Sequence, residues 1–316
     1  MVFNKRLAGD YPTASRFQAG WRTLVDHMRG EESVAGHSVE GRPIYRFDIG
    51  NKNAPPLLLT ALIHGIEVIG SVALFHILRD LHRDPVGASL FEQLHLVVLP
   101  VLNPDAFTLN MDRLDRGWPA LRRTNARGVD LNRNFPQVAP LERAHPFSGS
   151  RWRRSPHYRG PEPFSEPETR TVARVAEAVK PHISLGFHSF GNMLLYPWAF
   201  SARPNQRFGD YSDLAQSFTG GLELGRANYK FRQASQFYPT IGDLDDWLDH
   251  THGTLAMTIE VGDLNRRLWH PLRLLNPFCW MNPLMIDSTV QHLVPAMRGF
   301  LARAARLRLA PSAATP

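Results

Sequence analysis

The stretch PPLLLTALIHG, residues 55–65, is a near-continuous apolar run that begins at two prolines and ends at a glycine. Such a run predicts a strand that is covered on both faces of a sheet. From Glu67 to about Leu81, apolar residues recur at helical spacing, and the glycine before them lets the chain turn from strand into helix. LHLVVLPVLNPD, residues 94–105, predicts another buried strand that ends in a turn. Strand, helix and strand in this order predict a right-handed crossover within a largely parallel sheet.

Three further segments predict strands of the same sheet. GRPIYRFDIG, residues 41–50, alternates apolar and polar side chains as a half-buried strand does. HISLGFHSF, residues 182–190, and TLAMTIEVG, residues 254–262, are short apolar runs, each interrupted by one ionisable residue near its end. FSEPETRTVARVAEAVK, which starts at residue 164, predicts a helix with Ser165 and Glu168 as a capping box.

The predicted elements indicate the α/β class, as a single domain over residues 1–316. We expect a central mixed, largely parallel twisted sheet with helices on both faces. The last helix is predicted at about 285–307, before a frayed tail at 308–316. Two long connections, about 112–163 and 196–240, show little periodicity, and loops of this length usually shape a binding site or are mobile.

Composition excludes several classes of protein. The hydrophobic fraction of 43% and charged fraction of 21% are those of an ordinary globular protein. No apolar stretch resembles a secretory signal or a membrane span, so we expect a cytoplasmic protein with no membrane partner. Cys279 is the only cysteine, so no intrachain disulfide can form and a metal site would use His and carboxylates.

The net charge of +7 raises the question of an anionic partner. The arginines are scattered through predicted helices and strands, so we expect no nucleic acid partner. RWRRS, residues 151–155, is the one local basic cluster with an aromatic residue in it. A solvated loop is favoured there over a patch for an anionic ligand.

Ionisable residues lie near the ends of three predicted buried strands: His64, His188 and Glu260. Glu67 follows His64 by three residues across the turn from strand to helix. A lone His at a strand end is more often a satisfied core or surface residue, and HxxE alone is a weak signal. Catalytic zinc, however, commonly takes two His and one carboxylate and keeps a fourth position for water. The combination therefore predicts a zinc site.

A polar loop supports a ligand site beside it. GVDLNRNFP, residues 128–136, follows Arg123 and Asn125 closely. Packing does not demand Asp, two Asn and Arg within six positions of a loop, whereas a pocket for an anion does.

In chain order, these motifs resemble those of the zinc carboxypeptidases, over residues 36 to about 262. The matching segments are GHSVEGRPI (36–44), HGIE (64–67), NPDAF (103–107), GVDLNRNF (128–135), YRGPEPFSEPET (158–169), HSFGNMLLYPW (188–198) and TIE (258–260). This ordered set is far more specific than any one motif. The resemblance implies a zinc carboxypeptidase-like fold with one zinc ion per chain.

The resemblance also implies the roles of individual residues. The implied zinc ligands are His64, Glu67 and His188. Asp130 would orient His64, and Arg123 would polarise the scissile carbonyl and stabilise its oxyanion. The implied carboxylate-binding pair is Asn132 and Arg133, and the implied general base and proton shuttle is Glu260.

The mobile tyrosine of the family corresponds to Tyr238 when residues are counted back from Asp246. FRQAS offers a competing alignment that places Arg232 there, and the ungapped spacing favours Tyr238. The same register puts Asp245 at the position that sets side-chain preference, where an acidic residue implies basic or amino-bearing substrates. The acidic residues Asp243, Asp245 and Asp246 are also typical of a helix start.

The predicted function is hydrolysis of an amide bond next to a free C-terminal carboxylate, on a peptide or small amide substrate. One alternative is a murein peptide amidase that cleaves γ-D-glutamyl-diaminopimelate. Another is an N-acyl amino acid deacylase like aspartoacylase, against which the GHSVEGRPI opening and FSEPET stand. A third is a binding module that has lost catalysis. The role of the Arg-rich insertion at 141–159 is left open.

Overall fold

The computed structural model describes residues 10–222, 228–264 and 274–307. One sheet of eight strands lies within this part of the chain, in the order β1-β2-β4-β3-β5-β8-β6-β7. The strands are β1 (Glu31–His37), β2 (Pro43–Gly50), β3 (Pro56–Ala61), β4 (His95–Leu99), β5 (Ile183–His188), β6 (Met193–Tyr196), β7 (Lys230–Gln233) and β8 (Leu255–Glu260).

Helices cover this sheet. In the described residues they are α1 (Ala14–His27), α2 (Val68–Arg83), α3 (Pro85–Leu90), α4 (Pro104–Asp115), α5 (Pro167–Val179), α6 (Phe208–Gly220), α7 (Ala234–Phe237), α8 (Leu244–His252), α9 (Phe278–Met281), α10 (Ile286–Val290) and α11 (Leu293–Arg306). No helix in the described ranges is long and apolar enough to cross a membrane.

The centre of the sheet is parallel. β3 pairs in parallel with β4 and β5, and β5 pairs in parallel with β8. β2 adds to β4, and β6 to β8, in the antiparallel sense. The strand–helix–strand unit of β3, α2 and β4 is therefore a crossover between parallel strands, as the sequence predicted. The expected mixed, largely parallel sheet of a single α/β domain is confirmed.

Two apolar cores lie on opposite faces of the sheet, because successive side chains of a strand alternate between faces. On β3, Leu57 and Leu59 pack into one core together with α2 and α11. Leu58 points the other way and packs into the second core with Val172 of α5 and Trp247 of α8. Burial of each such leucine contributes about 1.5–3 kcal/mol. The near-continuous apolar run of β3 follows from this double coverage.

Four predictions from the sequence need correction, and the first two concern β3 and α5. β3 ends at Ala61, three residues before His64, because Leu62 leaves the strand with a φ of 51°. The predicted capping box is wrong, since α5 begins at Pro167 after Glu166. The Ser165 hydroxyl instead donates to Glu166 Oε1 at 2.8 Å.

The stretch 196–240 is not an unstructured loop. It contains α6, whose buried residues Tyr211, Leu214, Ala215 and Phe218 have the spacing of a helix face. The predicted helix at 285–307 is divided into α10 and α11. Pro295 lies in the first turn of α11. It prevents the helix from extending towards α10, because proline has no backbone N–H and its ring clashes with the carbonyl four residues earlier. The predicted frayed tail at 308–316 lies outside the described residues.

Candidate active site

The carboxyl ends of the central parallel strands bring the predicted site residues together. His188 is the last residue of β5 and Glu260 the last of β8, and the two are direct partners in the strand register. His64 lies just beyond β3, and Glu67 immediately precedes α2. Open α/β sheets bind ligands at this edge. The order of the parallel strands in the sheet therefore brings these residues together.

His64, Glu67 and His188 form a buried cluster whose ligand-type atoms all lie within 4.8 Å of one another. Glu67 is central: its Oε1 lies 2.9 Å from His64 Nδ1, and its Oε2 lies 2.9 Å from His188 Nδ1. Although close to Glu67, His64 Nδ1 forms no hydrogen bond of acceptable angle within the described part of the chain. Two imidazole nitrogens and a carboxylate thus lie around one point, and one of these nitrogens, His64 Nδ1, lacks a hydrogen bond within the described residues. This set of donors fits a zinc ion.

Asp130 holds the outer side of this cluster. It is fully buried, and its Oδ1 lies 3.2 Å from His64 Nε2. Its Oδ2 accepts a hydrogen bond from Arg123 Nε at 3.2 Å and lies 3.3 Å from His157 Nδ1. Arg123 Nη2 also lies 2.7 Å from His64 Nε2. A carboxylate and a guanidinium thus both contact this nitrogen and orient the ring, whose Nδ1 faces Glu67.

The charges of the cluster stabilise one another. Burial alone would raise the pKa of Glu67, but the charges and hydrogen bonds of His64 and His188 overcome this and lower it. Burial also opposes ionisation of Asp130, yet Arg123 and Arg133 hold the pKa of that carboxyl well below its usual range. Both carboxyl groups are therefore ionised at neutral pH, the form that zinc binding requires.

Glu260 has one carboxylate oxygen without a hydrogen bond. The residue is 8% exposed, and its buried Oε2 accepts no hydrogen bond from any residue that the structure describes. Burial raises its pKa well above the usual value, the negative charge of Glu67 raises it further, and Arg123 opposes the rise. A carboxyl group so placed can hold a proton near neutral pH.

A cavity of about 390 Å³ opens over these residues. Nine of the ten predicted site residues line it: His64, Glu67, Arg123, Asn132, Arg133, His188, Tyr238, Asp245 and Glu260. Asp130 lies behind His64 and is not part of the wall. Arg232, the alternative to Tyr238, lies on β7 and is not a lining residue.

Arg133 is buried at the cavity wall with a fixed orientation. Its Nε and Nη2 donate to the carbonyl oxygen of Phe147 at 3.1 and 3.0 Å. Its Nη1 donates to the carbonyl oxygen of Asn132 at 2.6 Å. A guanidinium has five N–H groups, so these three bonds leave one N–H on each of Nη1 and Nη2. That pair matches the two oxygens of a carboxylate.

Asn132 connects this region to α8. Its Oδ1 accepts a hydrogen bond from the Leu244 amide at 3.0 Å. Asn134, two residues on, is fully buried and donates to the Arg159 and Glu162 carbonyl oxygens. The polar loop that the sequence indicated as an anion pocket is thus partly structural, because Asn134 supports the backbone rather than facing the cavity.

Tyr238 is held in an aromatic cluster contributed by the 141–159 insertion. The His145 ring stacks on Tyr238 at 5.8 Å, and the Phe147 ring meets it edge-on at 5.8 Å. Arg133 lies over the Tyr238 ring at 5.9 Å. Burial raises the pKa of the Tyr238 hydroxyl, although Arg133 and Arg123 oppose the rise. Tyr238 therefore stays neutral at physiological pH.

The acidic residues at the start of α8 divide into two groups. Asp243 caps the helix by accepting from the Asp246 amide at 2.9 Å, and Asp246 accepts from the Ala199 amide. Asp245 instead lines the cavity, where it accepts from the Thr258 hydroxyl at 2.7 Å. Burial, followed by the charge of Asp243, raises the pKa of Asp245 to about 7. The predicted helix start is confirmed. Asp245 lies in the cavity wall, and its role in side-chain preference stays a prediction.

Sequence reasoning missed His157 and Phe147. Both line the cavity, and their rings lie 5.0 Å apart. His157 immediately precedes the YRGPEPFSEPET segment, and this position beside a matched motif was the only available signal. Phe147 had none, because it belongs to the insertion.

Known proteins similar to this chain share its fold and motifs. Residues 29–280 match the family model of the zinc carboxypeptidases. Carboxypeptidase A6 of Mus musculus is 27% identical over 278 residues, 82% of this chain and 61% of that protein. The chain thus spans about three-fifths of that relative's length. Carboxypeptidase B of Astacus astacus is 28% identical over 273 residues, 80% of this chain and 86% of that protein.

A solved structure shows the same architecture. The crystal structure of thrombin activatable fibrinolysis inhibitor gives a TM-score of 0.76 at 20% identity. The match covers 94% of this chain and 75% of the other. At this identity the likeness concerns the fold alone.

Proposed function

Because this chain belongs to the zinc carboxypeptidase family, we propose that it hydrolyses the amide bond next to a free C-terminal carboxylate. One observation carries the proposal. Arg133, whose two remaining N–H groups suit a carboxylate, opens on the same cavity as the His64–Glu67–His188 cluster. A substrate held by its terminal carboxylate would place the adjoining amide within that cavity.

The zinc of this family would be held by His64, Glu67 and His188, one ion per chain. The orphaned Nδ1 of His64 and the tight grouping of the three donors support this assignment. When bound, zinc supplies Lewis acidity to a water molecule and to a carbonyl oxygen. Asp130 would fix the His64 ring through Nε2, a support that usually matters for metal affinity.

Glu260 would be the general base and would then carry the proton to the leaving nitrogen. Its free Oε2 and its place opposite His188 in the strand register support this role. The raised pKa allows the group to hold the proton between the two steps. Arg123, whose charge lowers the pKa of Glu260, favours the ionised form that accepts the proton.

Arg123 would stabilise the negative charge that develops on the scissile carbonyl oxygen. Its Nη1 lies 3.0 Å from Glu67 Oε1, and its Nε is fixed by Asp130. Burial would lower the pKa of Arg123, but Asp130 and Glu67 raise it above the usual value, so the charge is permanent. Removing such a donor from acyl-transfer sites typically costs about 2.7–4 kcal/mol.

Asp245 and Tyr238 would act on the terminal residue of the substrate. Asp245 shares the cavity with Arg133, and Asp243 lies near enough to raise its pKa. A cationic side chain relieves this crowding of negative charge, whereas an apolar one leaves it in place. The preferred substrates would therefore end in a basic or amino-bearing residue. Tyr238 would cover the bound residue from the side of the insertion.

A murein peptide amidase is the second candidate. Diaminopimelate carries a carboxylate for Arg133 and an amino group for Asp245, and both residues line one cavity. We also propose that the protein is cytoplasmic, as the sequence predicts.

A single experiment tests both candidates and the deacylase alternative. The zinc-loaded protein is incubated with a mixed peptide library, murein tripeptide and N-acyl amino acids, and products are identified by mass spectrometry. Release of C-terminal residues, led by Lys and Arg, is expected. Turnover of N-acyl amino acids without turnover of any peptide would overturn the proposal.

A further inference from the structure

The basic insertion forms a second cavity that the proposed reaction does not use. Ser150 and Tyr158 form an isolated parallel bridge. The Ser150 amide donates to the His157 carbonyl oxygen at 2.8 Å, and the Arg159 amide donates to the Ser150 carbonyl oxygen at 3.0 Å. Residues that follow two bridged positions in a parallel pair lie next to each other. The bridge therefore holds Arg151 beside Arg159.

Both arginines line a cavity of about 570 Å³. Its other walls include Gln137, Glu162 and Gly242. Arg133 also lines this cavity and is the one residue common to the walls of both cavities. The two cavities are therefore neighbours that share Arg133 in their walls.

The second cavity carries an excess of positive charge. Three arginines line it, against a single carboxylate, Glu162. Neither Arg151 nor Arg159 forms an ion pair with any residue of the described ranges. Burial lowers the pKa of Arg159, and the neighbouring charge of Arg151 lowers it further. Two positive charges that repel each other and that form no ion pair within the described residues make a site that an anion would stabilise.

We propose that this cavity binds a small oxyanion-bearing molecule, a phosphate or a carboxylate, between Arg151 and Arg159. Guanidinium groups match both anions, because they present paired N–H donors in a plane. A concave site lined by one sign of charge also concentrates its field on the ligand. The ligand would be small, since it lies inside a cavity rather than along the exposed surface.

Two other members of the same basic cluster provide the matched control. Arg153 and Arg154 are exposed, as Arg151 is, but unlike Arg151 they do not line the cavity. A nucleic acid would use all four arginines through general charge. A small anion in the cavity would depend on Arg151 and Arg159 alone.

The test measures binding of inorganic phosphate to the zinc-loaded protein by calorimetry, with succinate in a parallel series. In the Arg151→Gln/Arg159→Gln variant, we expect the affinity for the preferred anion to fall roughly tenfold to a hundredfold. The Arg153→Gln/Arg154→Gln variant should stay within about threefold of the parent, because neither residue lines the cavity and charges away from the ligand are screened. Glu162→Gln should strengthen binding. The tighter of the two anions identifies the class of ligand.

Zinc content and circular dichroism verify that each variant is folded, and Arg151→Lys/Arg159→Lys retains the charge. Equal losses in the two Gln pairs, for phosphate or for a short oligonucleotide, would overturn the proposal in favour of a diffuse basic surface. Unchanged anion binding in Arg151→Gln/Arg159→Gln would also overturn it. Neither result depends on peptidase activity, so the proposed hydrolysis stands or fails separately.

Discussion

Asp130 Oδ1 lies 3.2 Å from Nε2 of His64, on the side of the ring opposite Glu67. The same carboxylate also contacts Arg123 and His157. One buried group therefore orients a candidate zinc ligand and the candidate oxyanion donor together.

Replacement of Asp130 by Asn should weaken zinc binding, because the His64 ring loses the negative charge that contacts its Nε2 and supports its orientation. We expect zinc affinity to fall by about 10- to 100-fold, as for other partners of metal-bound histidines. Competition with a coloured chelator measures this. The matched control is Asp48→Asn, since Asp48 also pairs with a buried histidine, His95 Nε2 at 2.7 Å. Equal zinc affinity in both variants would contradict the assignment.

Replacement of His64 by Ala should remove stoichiometric zinc binding, because the cluster then keeps one imidazole and one carboxylate. Elemental analysis after dialysis gives the zinc content per chain. His95→Ala removes a buried histidine outside the cluster and should retain zinc. If His64→Ala still bound one zinc per chain, the metal site would be assigned wrongly.

Glu260→Gln should keep its zinc and lose most hydrolysis. The amide matches the carboxylate in size but cannot accept the proton, and general bases typically contribute about 10²–10⁴-fold in rate. Steady-state turnover and zinc content are measured on the same sample. Full activity in the zinc-replete variant rules out Glu260 as the base.

Preference for basic C-terminal residues should depend on pH. The pKa of Asp245 is raised to about 7, so below that pH the group is mostly neutral and must lose a proton to bind a cation. The ratio of kcat/KM for a C-terminal Lys substrate to that for a Leu substrate should therefore rise as the pH increases through about 7. In Asp245→Asn, the ratio should be low and flat. A parent ratio that falls with pH would disprove the role.

Tyr238→Phe should raise KM several-fold if this residue covers the substrate. Arg232→Ala is the discriminating control, because Arg232 is the competing position and is not in the cavity wall. Peptide hydrolysis is followed for both variants. A large effect of Arg232→Ala, with none from Tyr238→Phe, would favour the other alignment.

The central sheet was predictable because its strands are covered on both faces. The apolar run of β3 reflects its burial on both faces. The single ionisable residues that end β5 and β8 mark the edge of the sheet at which the site lies. In contrast, the place of His157 depends on the Ser150–Tyr158 bridge. That bridge is a long-range backbone contact within an insertion, and no periodic pattern records it.

The polar loop shows a different limit. Asp130, Asn132 and Asn134 are similar in type and adjacent in sequence, but they face His64, the α8 amide and the loop interior, respectively. Side-chain direction within a short 3₁₀ turn follows from its dihedral angles, which composition does not reveal. Resemblance to a family supplied roles here that the residue types alone could not.

The hydrogen bond from the Leu244 amide to Asn132 Oδ1 joins the loop of Asn132 and Arg133, the proposed carboxylate site, to the first turn of α8, which carries Asp245. This bond holds Arg133, which would bind the substrate carboxylate, at a fixed distance from Asp245, which would bind the substrate side chain. A terminal residue whose side chain is much shorter than this spacing could satisfy one contact only by giving up the other. The enzyme would thus select for the length of the terminal side chain as well as for its charge.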